Sequence, residues 1–465
     1  MSPPERLSAL DAAFIGLESR TVPFVIGSIF RYDRRIDLAR LRAYVDAALD
    51  HLPRYRQRIR RLPILGHPVW IDHADFAIAE HVRAVPDAAG REPEEVAAEL
   101  LGHGLPPGRP PWQIWLMDGA DGKSAIISVF HHSLVDGVSG VVLLERLLRG
   151  VPDASEPPPP RRPPADRPPP AHRLLAAELR HRARAIAHVG AGLGRPAHLL
   201  RAVADLLWRG LHPASDIGLN PRRIGSRRVI ASTSLELDSL RRIRRAHGVT
   251  LNDVVLAAVT GGLRQLLAAR GVDPAGAHDV RAMVPVSTMR PGEDAVSGNR
   301  VVLFLAGLPV DEPDPVERLR RVAAATGELK QRSGHREAGE VIVQLSDATS
   351  PALLTGTFRL TLALRAFNVI VTNIPGPPFP LFLMDARLES LTPIVNLWPH
   401  DGLAIAVMSY AGRMYLGLQA DRALIADLGP LARAIVSSVA ELEARCPPAG
   451  PAARAQPASP GSPSA

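Results

Sequence analysis

The chain has 465 residues, enough for two or three domains that each bury a core, and 46% of them are apolar. Its net charge of +8 is carried almost wholly by arginine, with Lys123 and Lys330 the only lysines. Such a balance favours anionic partners, acidic headgroups or a phosphorylated cofactor, and the lack of aromatic-studded basic patches turns the reading away from nucleic acid. The single cysteine, Cys446, excludes an intrachain disulfide and fits a reducing cytoplasm. The start, Met1-Ser2-Pro3-Pro4-Glu5-Arg6, has no apolar signal core, and no uninterrupted apolar stretch of roughly 18 residues predicts a spanning helix.

In chain order, residues 25–32 read as a strand, and 38–52 as a helix with Leu41, Val45, Ala48, Leu49 and Leu52 on one face. Residues 124–130 form a short apolar, β-branched run that predicts a buried strand, and 138–148 read as a helix. Proline blocks between Ser155 and Pro170 predict an extended spacer. From His172 to Leu211 the pattern is helical, amphipathic and basic, with seven arginines against Glu178 and Asp205. Beyond it, 237–246, 251–269 and 315–330 read as helices, and 281–285, 300–305 and 367–372 as strands. Residues 403–410 and 413–419 read as two strands joined at Ala411-Gly412. The expected organisation is a first lobe over 1–154, a proline-rich linker over 155–170 and a basic helical connector over 171–213. A second lobe over 214–446 and a disordered tail over 447–465 complete it.

The chemistry is expected where strand 124–130 runs into His131-His132-Ser133-Leu134-Val135-Asp136-Gly137. A strand end holds a side chain rigidly while the following loop shapes a cleft. A histidine there is neutral near pH 7 and can take a proton from a hydroxyl. Asp136 can orient the imidazole or steady the loop, and Gly137 and Gly140 permit close backbone approach. A buried histidine is also an ordinary core residue, and His and Asp are both metal ligands; no HExxH pair or paired cysteines accompany them, and no G-x-S-x-G elbow supplies a serine nucleophile.

HHSLVDG resembles the HHxxxDG signature of the CoA-dependent acyltransferase superfamily, which condensation domains of peptide synthetases share. Further segments are similar to the bacterial wax ester synthase/diacylglycerol acyltransferase family. They are Leu7-Ser8-Ala9-Leu10-Asp11-Ala12-Ala13-Phe14, Pro111-Trp112, Asn252-Asp253-Val254, Val284-Pro285-Val286-Ser287, Gly298-Asn299 and Thr372-Asn373-Ile374-Pro375-Gly376-Pro377. The resemblance runs from about residue 5 to 445. Pro110-Pro111-Trp112 departs from the family's PLW by its middle proline.

The resemblance implies a two-lobed α/β fold like that of chloramphenicol acetyltransferase, each lobe a mixed sheet flanked by helices. It implies transfer of a long-chain acyl group from acyl-CoA, a co-substrate rather than a bound cofactor, to diacylglycerol or a fatty alcohol. His132 is then the general base, His131 its support and Asp136 a loop-holding residue. Gly137, Asn252 and Trp112 are the candidates for substrate contact, and no metal is called for. Asp253 also fits a helix start after Thr250. The basic segment 180–209 reads either as an interlobe helix packed on protein or as a contact with a membrane or lipid-droplet surface from the cytoplasmic side. A condensation-type enzyme with a carrier-bound donor, and a non-catalytic lipid-binding relative, are the alternatives.

Overall fold

A computed structural model describes residues 5–62, 67–119, 121–134, 147–155, 169–192, 213–287, 301–331 and 351–447. Asp136, Gly137, Gly298-Asn299, nearly all of the expected helix 138–148, most of the proline spacer, residues 195–209 and the tail from 448 lie outside them.

The first half runs α1 (Ala9–Leu17), β1 (Val25–Tyr32), α2 (Leu38–Ala48), β2 (Gln57–Arg60), β3 (Val69–Asp72), α3 (Ile78–His81), β4 (Val82–Ala84), α4 (Pro93–His103), β5 (Trp112–Asp118), β6 (Ser124–His131) and β7 (Leu148–Arg149), followed by α5 (Ala171–Gly192). The second runs β8 (Arg228–Glu236), α6 (Leu237–His247), α7 (Leu251–Ala269), β9 (Val280–Ser287), β10 (Val301–Leu308), α8 (Pro315–Gln331), α9 (Pro351–Ala363), β11 (Val369–Ile374), β12 (Phe382–Leu383), β13 (Ala386–Ile394), β14 (Leu403–Tyr410), β15 (Arg413–Asp421) and α10 (Gly429–Ala444).

Local chemistry sets these boundaries. Ser8 and Asp37 accept backbone N–H groups at the starts of α1 and α2, and Thr250 with Asp253 forms a capping box at α7. Ala411 and Gly412 both take positive φ, 44° and 85°, as a two-residue hairpin turn requires.

Two mixed sheets result. The first has the order β4-β5-β6-β1-β13-β12-β7 and the second β10-β9-β11-β14-β15-β8. β13, from late in the chain, lies antiparallel to β1 and so helps complete the first sheet. There it crosses β15 at Gly417, where an added Cβ would sit 1.8 Å from the Pro393 carbonyl oxygen; only glycine lets the two sheets approach this closely.

The second sheet is apolar on both faces. Val369, Val371, Ile405 and Leu418 meet a core with α7 and α10. Its other face carries one row across all six strands, Leu305–Met283–Ile370–Ala404–Gln419–Ile230. Met283, Ile370 and Ala404 of that row pack with Phe14, Phe24 and Trp398, and Ile230 packs with Val25, Val129 and Ile394. The inner face of the second sheet therefore seats directly on the ends of β1 and β6.

α5 turns Leu174 and Glu178, one helical turn apart, toward the first half. Leu174 packs with Leu62, Val69 and Ile71, and the Glu178 carboxylate, 3% exposed, pairs with Arg6 and Arg182. Leu175 and Leu179 on the next stripe are 42% and 60% exposed. Among the described residues no helix is long and apolar enough to cross a membrane.

Candidate active site

β6 is buried along its whole length, on both faces, which explains its unbroken apolar sequence. It ends at His131, opposite Val25 of β1. The His131 N–H donates to Pro111 O at 2.9 Å, and the His132 N–H donates to Phe24 O at 2.8 Å, so each histidine is fixed by its backbone to a neighbouring segment.

The two rings have different settings. His131 is 5% exposed, and its Nδ1 accepts the Ser133 backbone N–H at 3.1 Å. That donor leaves Nδ1 unprotonated and places the ring proton on Nε2. The Ser133 hydroxyl, 2.6 Å from Nδ1, then donates as well, and Nε2 faces Glu18 Oε1 at 3.9 Å. Arg61 stands 3.5 Å from the same carboxylate, whose pKa burial nevertheless raises. Burial, with smaller contributions from His132 and Arg61, drives the His131 imidazole down to about 3. It is a fixed neutral group.

His132 is half-buried, with Nδ1 fully enclosed and without a hydrogen-bond partner. Its ring lies edge-on to Phe14 at 4.5 Å. Phe14 stacks on Phe24 at 5.5 Å and meets Trp398 edge-on at 5.8 Å, and Phe358 of α9 closes on Trp398 at 5.5 Å. This aromatic wall draws on α1, the entry to β1, the loop after β13 and α9. Burial pushes the His132 imidazole down to about 4, against a smaller opposing effect of its own carbonyl. At neutral pH both histidines are uncharged, and His132 can act as a proton acceptor but not as a standing cation.

The other candidates separate. Asn252, first turn of α7, accepts Asn373 Nδ2 at 3.4 Å, so two asparagines distant in sequence meet at the end of β11. Asn373 is three residues along β11 from Ile370 of the aromatic cluster, roughly 10 Å. Asp253 closes the capping box and accepts the Thr326 hydroxyl at 2.6 Å, which uses it structurally.

Trp112 does not face a cleft. It is fully buried, donates Nε1–H to Tyr55 O at 2.7 Å, and stacks on His81 at 4.6 Å. With its surface and its one polar atom both used, it anchors the core that supports the end of β6. That setting suits a packing anchor, the other role open to Trp112. Asp136 and Gly137 lie outside the described residues.

Phe14, Glu18, Phe24, Ser133 and Trp398 are the residues about the histidine pair that sequence reasoning did not single out for the candidate site. Phe14 ends the Leu7–Phe14 segment of the resemblance and Ser133 sits inside the motif, so those two carried a signal. Trp398 carried none.

Known proteins match this chain along nearly its full length. The wax ester synthase/diacylglycerol acyltransferase catalytic domain matches residues 7–255, and the C-terminal domain of the same family matches 297–443. A probable diacylglycerol O-acyltransferase of Mycobacterium tuberculosis is 31% identical over 460 residues, covering 94% of this chain and 96% of that protein. A second from the same organism is 30% identical over 455 residues, covering 93% and 97%. The wax ester synthase/diacylglycerol acyltransferase structure from Marinobacter aquaeolei VT8 superposes with a TM-score of 0.69 at 25% identity, over 95% of this chain and 99% of that one. The first condensation domain of the CDA synthetase shares the fold, with a TM-score of 0.59 at 17% identity over 96% and 97%. A histidine motif at a buried strand end, seated against a second sheet, together with matches in both halves, makes this chain a member of the wax ester synthase/diacylglycerol acyltransferase family of acyltransferases.

Proposed function

We propose that this chain transfers a long-chain acyl group from acyl-CoA to the free hydroxyl of diacylglycerol, with fatty alcohol as the alternative acceptor, and that His132 is the general base. The observation that carries the reading is the setting of His132, neutral and held by its backbone at the seam of the two sheets. With Nδ1 enclosed, Nε2 is the ring nitrogen left to a substrate. It takes the acceptor's hydroxyl proton as that oxygen attacks the thioester carbonyl carbon. The tetrahedral oxyanion collapses, the C–S bond breaks, and the proton on His132 passes to the departing thiolate. No acyl-enzyme is formed, in keeping with burial pushing up the pKa of the Cys446 thiol, away from a ready thiolate.

His131 supports this by holding the strand end, its proton kept on Nε2 by Ser133. Asp136 is read as holding the loop and Gly137 as letting substrate approach the backbone. Asn252, paired with Asn373, keeps an amide beside the seam for an acyl or acceptor oxygen. The reaction is tested by incubating the protein with palmitoyl-CoA and either diacylglycerol or hexadecanol and following CoA thiol release. His132→Ala should lower kcat by about 10²–10⁴-fold, and a variant near wild-type activity refutes the base assignment.

The exposed stripe of α5 supports a second part of the proposal, peripheral contact with an anionic lipid surface. Leu175 and Leu179 project beside exposed Arg173 and Arg180, the pairing that lets a helix sink leucines between acidic headgroups. Leu175→Ser/Leu179→Ser should reduce flotation with acidic liposomes, and unchanged flotation removes this part.

A further inference from the structure

The turn of residues 18–24 touches the histidine motif at both ends. Glu18 stands 3.9 Å from His131 Nε2, while the Phe24 carbonyl takes the His132 N–H. Between them Ser19 and Val22 exchange backbone hydrogen bonds of 3.1 and 3.2 Å, making a tight turn with Thr21 at its tip. The Thr21 carbonyl is gripped from the other sheet: Arg228, first residue of β8, donates to it from Nη2 at 2.5 Å, while Nη1 donates to Gly225 O at 2.5 Å.

Arg228 is 5% exposed. A buried guanidinium is costly unless its donors are used, and two are spent on carbonyls. Asp421, its partner in the β15 register, stands near, yet its carboxylate is engaged with the Gly225 and Ala423 N–H groups. The inward positions of β8 after Arg228 also reach the first half, Ile230 through apolar packing and Ser232 through a hydrogen bond to Glu94. β8 is therefore the seam strand, and Arg228 is where it reaches the motif's supporting turn.

We propose that Arg228 is a positioning residue for acyl transfer: by holding the Thr21 carbonyl across the seam it fixes the 18–24 turn, which in turn keeps His132 in its enclosed orientation. The proposal rests on the reading of His132 as base. Loosening the turn frees Phe24 and Phe14, admits water round the ring, and returns the imidazole toward its ordinary value near 6.5. The titratable and charged groups on the elements packed about His132 include His131 on β6, Asp11 and Glu18 of the α1 segment with Arg61 beside Glu18, Arg20 on the turn, Arg359 on α9, and His400 and Asp401 in the loop that carries Trp398. Asp11 is held by Ser8, Asp401 is enclosed with its carboxyl pushed well up by burial, and His131 is locked neutral.

The test compares kcat/KM at pH 5.5 and 7.5 for wild type, Arg228→Lys and Arg228→Met, corrected for folded fraction by circular dichroism at each pH. CoA release is read with 4,4′-dithiodipyridine. A base of pKa about 4 is neutral at both values, so the wild-type ratio should stay within about twofold of one. A base near 6.5 is about one-tenth neutral at pH 5.5, so Arg228→Met should show a ratio about tenfold lower, with Arg228→Lys between. Hydrogen exchange at residues 18–24 and 132 should quicken in the same order. Wild-type ratios and exchange in folded variants overturn the proposal, and if Arg228→Met does not fold, Arg228→Lys alone decides in the same way. An inactive wild type, or an active His132→Ala, would instead overturn the underlying reading of the base.

Discussion

Lowering the pH from 7.5 to 5.0 should withdraw about 4 kcal/mol of folding stability through His131 and His132 alone, about 2 kcal/mol each. In the unfolded chain each imidazole titrates near 6.5 and is mostly protonated by pH 5.0. In the folded chain burial holds them at about 3 and about 4, so both stay neutral there. Between those limits the unfolded state binds more protons, so stability rises with pH and is lost on acidification. About 1.5 pH units of the window lie above pH 5.0, and each unit is worth about 1.4 kcal/mol. Two carboxyls work in the opposite direction. Burial raises Asp401 and Glu18, so the folded state takes up protons there first and gains stability as the pH falls.

Comparison with variants separates these contributions. Urea unfolding followed by tryptophan fluorescence would be measured at pH 7.5 and 5.0 for wild type, His131→Asn and His132→Asn. Each variant should lose less stability than wild type across the interval, by about 2 kcal/mol. Agreement with wild type within about 0.5 kcal/mol would refute the reasoning, because the histidines would then not be buried as neutral groups.

Asp401→Asn removes a carboxyl whose burial outweighs the one backbone interaction it has, with Leu403, so the variant should be more stable than wild type at pH 7.5 and lose more on acidification; a lower unfolding midpoint at pH 7.5 contradicts this. Gly417→Ala drives a methyl into the Pro393 carbonyl where the sheets cross, and should cost about 3 kcal/mol, read as a fall in the urea midpoint. Trp112→Ala empties a fully buried site and should cost about 3–5 kcal/mol, while the KM for acyl-CoA of the folded fraction stays unchanged, as expected of a packing residue.

The strand that leads into the histidine pair was legible because its signal is local. A buried strand reads as an apolar run, and β6, which ends at His131, followed that rule. The hairpin at Ala411-Gly412 and the helix after Thr250 were visible from turn and cap chemistry. β13 was not. Its burial alternates only over its first half and then becomes continuous, because it lies between the sheets, and its partner β1 is more than 350 residues away. No local pattern encodes such a pairing. Trp112 was ambiguous in another way, since a tryptophan in a resembling segment reads equally well as contact or as anchor, and its full burial was not visible in the sequence. The wall around His132 was hidden for the same reason as β13, its aromatics coming from residues 14, 24, 358 and 398.

That wall bears on the proposal that a histidine so depressed serves as a base. Lowering the imidazole from 6.5 to about 4 weakens it as a proton acceptor, and the acceptor alcohol is a poor acid in any case. The same enclosure that weakens the ring also strengthens any charge interaction made beside it. Once the alcohol's oxygen begins to bond to the thioester carbon its proton becomes acidic, so under the proposed mechanism His132 would need to accept it only as the bond forms. The imidazolium would then appear next to the developing oxyanion, where low dielectric makes their attraction large. Enclosure thus disfavours a resting charge while favouring the paired charges of the reaction. It helps only if the ring keeps its place, and the Phe24 carbonyl and the Phe14 ring are what hold it there.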